Sequence, residues 1–245
     1  MAKLTNDKVL KALQEYCENP RLVFSKQDAR PESLNRIPES WWPLLSLDNV
    51  DTARLAELWQ PLVKKLPMTF EEVAARLHGL AVLEEAEAPP SLLYIFTYEN
   101  GQPTFNRGLP PLEEREIPDK FQDVWPRLPK AFREAYGVHN GWFLLSALSG
   151  GYWPVEEWMW LNVKEWGLDE DTLKALPFDP GRTVFVHTNG GSGYLGFELP
   201  PGKGEVKPVR WWTDAPEDSR VGISFWDELD SSTAIGLEEV ALVEE

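Results

Sequence analysis

VFVHTNGGSGYLGFEL, residues 184–199, places three glycines and a serine between two apolar runs. Both runs are rich in β-branched and aromatic residues, which favour strands. Asn189 and Gly190 supply the backbone conformation that a tight hairpin turn requires. A glycine loop that cradles phosphate opens a helix and usually carries a lysine, and no lysine follows these glycines. The stretch therefore predicts a β-hairpin rather than a phosphate-binding loop.

Further patterns on both sides of this hairpin indicate a mixture of strands and helices. Residues 127–145 predict a helix followed by a turn, and the tryptophan-rich residues 152–167 fit a strand or a helix equally well. Residues 205–214 predict another strand. A short helix is expected over residues 224–232, with Ser224 as its N-cap.

The first 115 residues carry mostly helical patterns. Residues 5–18 predict an amphipathic helix, and residues 51–66 predict a second one that Pro61 kinks or divides. Residues 69–86 predict a third helix, whose apolar stripe extends to Leu80. Residues 92–105 alternate and turn at an Asn-Gly pair, which predicts a hairpin.

A Pro- and Glu-rich segment, GLPPLEEREIP, separates these patterns from the later ones and is the best linker candidate. We therefore expect an α-rich N-terminal region with one hairpin at residues 1–115 and an α+β domain at residues 116–245. The expected fold class is α+β, with a largely antiparallel twisted sheet and helices packed on it.

The composition is typical of a folded protein without disulfides. The chain has 245 residues, of which 42% are hydrophobic and 12 are tryptophan, enough for a sizeable core. Its single cysteine, Cys17, cannot form an internal disulfide, and no Cys/His spacing suits a metal. No targeting segment or membrane span is recognisable. We therefore expect a soluble cytoplasmic protein with no metal, no cofactor and no membrane partner.

The net charge is strongly negative and unevenly distributed. The formal charge is −16, and residues 116–245 contribute −12 of it, from 11 basic and 23 acidic residues. Such a charge opposes binding to nucleic acid or to an anionic membrane. It serves either solubility alone or the electrostatic attraction of a basic protein partner, and the sequence leaves both interpretations open.

Residues capable of catalysis lack the surroundings that catalysis needs. His78, His139 and His187 belong to no recognisable motif, and we interpret each as a packing or surface residue. Ser192 is followed by Gly193 and then by a tyrosine, so the nucleophile elbow G-x-S-x-G is missing. The sequence therefore predicts no catalytic residue.

Twelve tryptophans exceed what a core of this size normally needs, and tryptophan is enriched at protein interfaces. Neighbours in a strand face opposite sides, so one of Trp211 and Trp212 should be buried and the other should face helices or solvent. The predicted partner-binding residues are Trp142, Trp158, Trp160, Trp212, Asp214, Glu217 and Asp218.

The order of motifs over about residues 125–230 resembles the SUKH superfamily, which includes a fungal regulator of cell-wall synthesis and many bacterial immunity proteins. The resemblance starts with a helix closed by an Asn-Gly turn and continues with the segment YWPVEEW. The hairpin, a strand and a final short helix follow. The residues that carry it are Leu128, Pro129, Phe132, Tyr136, Asn140, Gly141, Asn189, Gly190, Gly191, Gly193, Trp211, Phe225 and Leu229.

This resemblance implies an α+β sheet with helices, no catalytic centre, and activity through binding another protein. Many such proteins neutralise a toxin that sister cells deliver or share, so the expected partner is a cognate toxin protein. Two other hypotheses stay open: a regulatory scaffold that binds a cellular enzyme, and an enzyme with a small-ligand site at the Asn189–Gly193 turn. No specific contact residue transfers from the family to this chain.

Overall fold

The computed structural model describes residues 4–86, 88–161, 166–202 and 204–243. These residues form two antiparallel sheets with helices packed on them. The predicted α+β class and antiparallel pairing are confirmed, with the strands divided between two sheets. The described helices are α1 Asn6–Leu13, α2 Pro31–Leu34, α3 Thr52–Leu58, α4 Gln60–Val63, α5 Pro67–Arg76, α6 Lys130–Tyr136, α7 Glu170–Ala175 and α8 Phe225–Glu238.

The first sheet has six strands that pair in chain order. They are β1 Arg21–Val23, β2 Gly79–Glu84, β3 Ser91–Thr97, β4 Pro103–Gly108, β5 Trp142–Leu144 and β6 Ser149–Tyr152. Every residue of β2 and β3 is buried, because both faces of the sheet are covered. One face joins the larger hydrophobic cluster through residues such as Leu80 and Tyr94, and the other packs on Val9 and Leu13 of α1.

The second sheet has five strands, β7 Met159–Trp160, β8 Thr183–Thr188, β9 Gly193–Glu198, β10 Lys207–Trp212 and β11 Arg220–Val221. Their spatial order is β11-β10-β9-β8-β7. On one face, the Phe197 ring lies 4.9 Å from Phe132 of α6 and 4.8 Å from Phe225 of α8. The opposite face carries an aromatic group in which the Trp211 and Phe185 rings stack at 5.3 Å.

The opening stretch folds as predicted. Strands β8 and β9 pair antiparallel on either side of the turn, and Gly190 adopts a φ of 85°. The hairpin predicted over residues 92–105 is confirmed as β3 and β4, which turn at Gly101 with a φ of 74°. Both turns use a glycine where an L side chain would be strained.

The six-stranded sheet takes strands from both sides of residue 115. The N-terminal residues supply β1 to β4, whereas β5 and β6 come from residues 142–152. The Pro- and Glu-rich segment between them is tied to later residues, since Leu112 N–H donates to the Tyr136 carbonyl at 2.8 Å. A boundary at residue 115 would therefore cut through this sheet, and the predicted regions 1–115 and 116–245 do not correspond to the two sheets.

The helix predicted over residues 69–86 is wrong beyond its first half. Helix α5 begins at Pro67 and ends at Arg76, and Leu80 lies in the interior strand β2. At Gly79 a Cβ would lie 2.9 Å from the Ser46 carbonyl oxygen, so the backbone there pairs closely with another segment. Strand pairing on both sides of β2 thus overrides the local helical spacing of apolar residues.

The last helix is longer than predicted. Helix α8 spans 14 residues instead of the nine in the predicted segment, and the Ser224 side chain makes no capping hydrogen bond. Buried Asp230 of this helix accepts the backbone N–H groups of Met68 and Thr69, at 3.1 and 2.8 Å. A carboxylate from the end of the chain therefore caps the N-terminus of α5, where an anion is favourable.

Candidate functional site

The candidate surface lies where β10 ends, at the β11 edge of the five-stranded sheet. Trp211 is fully buried on one face of β10, and Trp212 is half-buried on the face that α8 covers. This confirms the prediction that the two neighbours have different surroundings. Trp212 therefore presents part of its indole to solvent at the end of a strand.

Contacts on the α8 side hold Trp212 in position. It pairs with Gly193, where an added Cβ would lie 2.8 Å from the indole, so only glycine lets the ring approach the hairpin this closely. The Arg210 guanidinium lies 6.0 Å from the centroid of the Trp212 ring. Nη1 of Arg210 also donates to both carboxylate oxygens of Glu228, at 2.7 and 2.9 Å.

Three predicted acidic residues follow Trp212 in the connection between β10 and β11. Asp214, Glu217 and Asp218 are all exposed there, the last two in a short 3-10 helix, Pro216–Asp218. Arg220 partly offsets their charge, with Nη2 at 3.8 Å from Asp218 Oδ1. Trp212, Asp214, Glu217 and Asp218 thus form one aromatic and acidic surface, called the Trp212 surface below.

The other predicted partner-binding residues lie elsewhere. Trp142 and Trp158 are each only 1% exposed, so their placement at a binding surface is corrected: both belong to the core. The indole of Trp142 packs on Trp59 and Tyr94, and Trp158 Nε1 donates to the Tyr136 hydroxyl at 2.8 Å. Trp160 is 36% exposed but lies on β7, the edge of the five-stranded sheet opposite β11.

His139 is fully buried at the end of a chain of hydrogen bonds in the core. Trp59 Nε1 donates to the Tyr94 hydroxyl at 2.8 Å, and that hydroxyl donates to His139 Nε2 at 2.8 Å. His139 Nδ1 in turn donates to the Leu109 carbonyl at 3.0 Å. Burial lowers the pKa of His139 to about 4. This histidine is neutral near pH 7, and both of its nitrogens have partners.

His187 is the corresponding buried histidine of the five-stranded sheet. Its Nδ1 donates to the Gly151 carbonyl of β6, and the Ser232 hydroxyl lies 3.4 Å from Nε2. Burial lowers the pKa of His187 to about 4 as well. His78 is less buried and contacts the Thr97 hydroxyl at 2.8 Å. His139 and His187 therefore occupy packed positions and His78 a partly buried one, where the sequence suggested packing or surface residues.

The Asn189–Gly193 turn uses its own amide groups. Asn189 Oδ1 accepts the N–H groups of Gly191 and Gly193, at 2.9 and 3.0 Å. The Gly190 N–H donates to the Thr188 hydroxyl at 3.3 Å. A phosphate-binding loop leaves its amides free for the anion and opens a helix. Here the amides already have partners and both arms are strands, so the turn lacks both properties.

A cleft of about 530 Å³, called the α8 cleft below, lies between α8 and the six-stranded sheet. Asn106 of β4, Ser149 of β6 and Thr233 of α8 line it, together with Asn189 and Trp212 of the five-stranded sheet. Sequence reasoning missed this cleft because its lining residues come from distant segments. No sequence spacing links these residues, and the sequence patterns singled out only the Asn189 turn and the Trp211–Trp212 pair among them.

Two further observations concern what the described part of the chain contains. Among residues 4–86, 88–161, 166–202 and 204–243, no group of three or more His, Cys, Asp or Glu side chains is arranged to hold a metal ion. In the same ranges, no helix has the length and apolar character needed to cross a membrane.

Comparison with known proteins leaves the chain without a demonstrated family: no family model, no curated protein and no solved structure matches it.

Proposed function

We propose that this chain is a non-catalytic protein-binding module that acts as an immunity protein and neutralises a cognate bacterial toxin by direct binding. The single observation that carries the protein-binding role is the Trp212 surface, where a partly exposed tryptophan adjoins Asp214, Glu217 and Asp218. The immunity role rests on the resemblance of residues 125–230 to the SUKH superfamily. A cytoplasmic location belongs to the proposal, and the single cysteine, which cannot form an intramolecular disulfide, is compatible with it.

The chemistry of this surface suits a basic partner. Partly buried tryptophans are frequent hot spots at interfaces, and Trp212 is already held by Gly193 and Arg210, so little side-chain entropy is lost on binding. The acidic side chains around it attract positive charge and raise the association rate. A toxin that acts on nucleic acid needs a basic cleft for phosphates, and an acidic surface would compete for that cleft.

The test uses proteins encoded beside the gene in its native strain. Each neighbour is produced with the purified chain, and binding is measured by surface plasmon resonance over a series of salt concentrations. We expect one basic neighbour to bind, to inhibit growth when produced alone, and to lose its toxicity when this chain is present. Association should slow as salt rises, because screening weakens the attraction.

A matched pair of double variants locates the contact. Asp214→Asn/Glu217→Gln removes two negative charges from the Trp212 surface, whereas Glu170→Gln/Asp171→Asn removes two exposed charges from α7. We expect association with the partner to slow about tenfold for the first variant only. Trp212→Ala should weaken binding by about 2 kcal/mol or more, as at other hot spots.

Two outcomes would count against the proposal. If no neighbouring protein binds, or if binding returns a housekeeping enzyme without toxicity, the immunity function is wrong. If a toxin binds but both double variants behave alike, the function stands and the Trp212 surface is the wrong contact.

A further inference from the structure

The floor of the α8 cleft contains polar side chains that make no hydrogen bond to another described side chain or backbone group. Asn106 and Ser149 are 4% and 5% exposed and come from different strands of the six-stranded sheet. Neither the Asn106 carboxamide nor the Ser149 hydroxyl makes a side-chain hydrogen bond to a described residue. On the facing helix, buried Thr233 Oγ1 has no hydrogen-bond partner among the described residues either. Buried polar groups in folded proteins almost always have partners, and for Asn106 and Ser149 the partners must come from water or a ligand in the cleft.

The charges around the cleft restrict what could supply those partners. No lysine or arginine is among the described residues that line it, which disfavours an anionic ligand. Of its two carboxylates, Glu228 is already bonded to Arg210, and Glu239 is exposed. An ammonium group has donors only and would leave the Asn106 N–H groups unpaired, whereas a ligand hydroxyl both donates and accepts. A neutral polyhydroxylated ligand fits these floor groups best.

Apolar side chains complete the lining. Trp212 is half-buried beside the cleft, and Ile235 of α8 is 64% exposed. An indole face attracts the electropositive C–H groups of a pyranose ring. The volume of about 530 Å³ lies within the range of roughly 300–1,000 Å³ that is usual for ligand pockets. Aromatic and aliphatic walls over a floor of amide and hydroxyl groups suit a sugar.

We propose that the α8 cleft binds a neutral mono- or disaccharide, with Asn106 and Ser149 bonding its hydroxyl groups and Trp212 contacting its ring. This site goes beyond the proposed protein-binding function. The two share only Trp212, so each can fail while the other stands.

The test measures binding of four probes to the purified full chain: glucose, N-acetylglucosamine, maltose and cellobiose. Isothermal titration and ligand-detected NMR are used at sugar concentrations up to about 10 mM. We expect saturable binding of at least one probe. Absence of saturable binding of all four would overturn the proposal and leave the cleft as a site for water.

Variants decide whether the sugar binds at this floor. Ser149→Ala removes one hydroxyl, Asn106→Leu removes the carboxamide, and Ser33→Ala removes a hydroxyl from α2, which does not line the cleft. We expect the first two to weaken sugar binding about three- to tenfold and Ser33→Ala to leave it unchanged. Ser149→Ala keeps the test valid if Asn106→Leu fails to fold. Equal binding by Ser149→Ala and Ser33→Ala would overturn the assigned floor.

Discussion

The two sheets bury their residues differently. In the six-stranded sheet, β2 and β3 are buried along their whole length, because α1 covers one face and the larger hydrophobic cluster covers the other. In the five-stranded sheet, β10 alternates between buried and partly exposed residues and ends at Trp212. Strand β8 of the second sheet is as completely buried as β2 and β3, so the difference lies in β10, whose end can offer side chains to a partner.

The largest loss of stability should come from replacing core tryptophans. The same variants show whether the two sheets unfold together. We expect Trp142→Ala in the first sheet and Trp211→Ala in the second to lower the free energy of unfolding by about 3–5 kcal/mol each. Both indoles are buried, and the larger cluster contains both. Urea unfolding followed by circular dichroism should give one transition for each variant. Two separated transitions would show that the sheets are independent units.

The second-largest loss of stability should come from breaking the contact between α8 and α5. Asp230→Asn should destabilise the protein by about 1.5–3 kcal/mol, because the buried carboxylate accepts two backbone N–H groups at the start of α5. Asp227→Asn, at an exposed position of the same helix, is the matched control. Equal unfolding midpoints for the two variants would contradict this role of Asp230.

Acidification should affect both sheets through one buried histidine each. Burial lowers the pKa of His139 and of His187 to about 4, below the ordinary value of 6.5. Between pH 6.5 and 4, these two histidines bind protons in the unfolded chain but stay neutral in the folded protein. The free energy of unfolding therefore falls as the pH drops through this range.

Each histidine should contribute at most about 1.4 kcal/mol per pH unit within that window, and about half of that near pH 6.5. We expect His139→Gln and His187→Gln each to reduce the slope of unfolding free energy against pH between 6.5 and about 5.5. His78→Gln should change it less, since His78 is less buried. An unchanged slope in both of the first two variants would contradict the assigned cause.

The smallest loss of stability should come from substitution of Trp160, at the β7 edge of the five-stranded sheet. Trp160→Ser should cost about 1 kcal/mol or less, because this indole is 36% exposed on the edge strand β7. Trp158→Ser, two residues earlier at a position 1% exposed, should cost about 3–5 kcal/mol. Comparable losses for the two would mean that Trp160 belongs to the core.

Local signals were predictable from the sequence. The turn at Asn189 and Gly190 depends on residues that are neighbours in the chain, and the same holds for the Asp51 cap of α3, whose side chain accepts the Arg54 N–H at 3.1 Å. The opposite surroundings of Trp211 and Trp212 follow from strand geometry alone.

Long-range features were not predictable. Leu80 continues an apolar spacing that fits a helix, yet pairing with β3 places it in a strand. The burial of Trp142 and Trp158 depends on which elements pack against them, and a tryptophan suits a core as well as an interface. The α8 cleft brings together Asn106 and Thr233, which no local pattern connects.

The Asp230 carboxylate is synthesised long after the N-terminal half that it stabilises. Among the described residues, Asp230 supplies the side-chain cap of α5, and the Ala241 N–H donates to the Thr97 carbonyl of β3 at 2.7 Å. Until residues 230–241 have been synthesised and have left the ribosome, α5 and β3 lack these two hydrogen-bond partners. The fold is therefore completed only once residues 230–241 are available, and nascent chains truncated before residue 230 should be preferred chaperone clients.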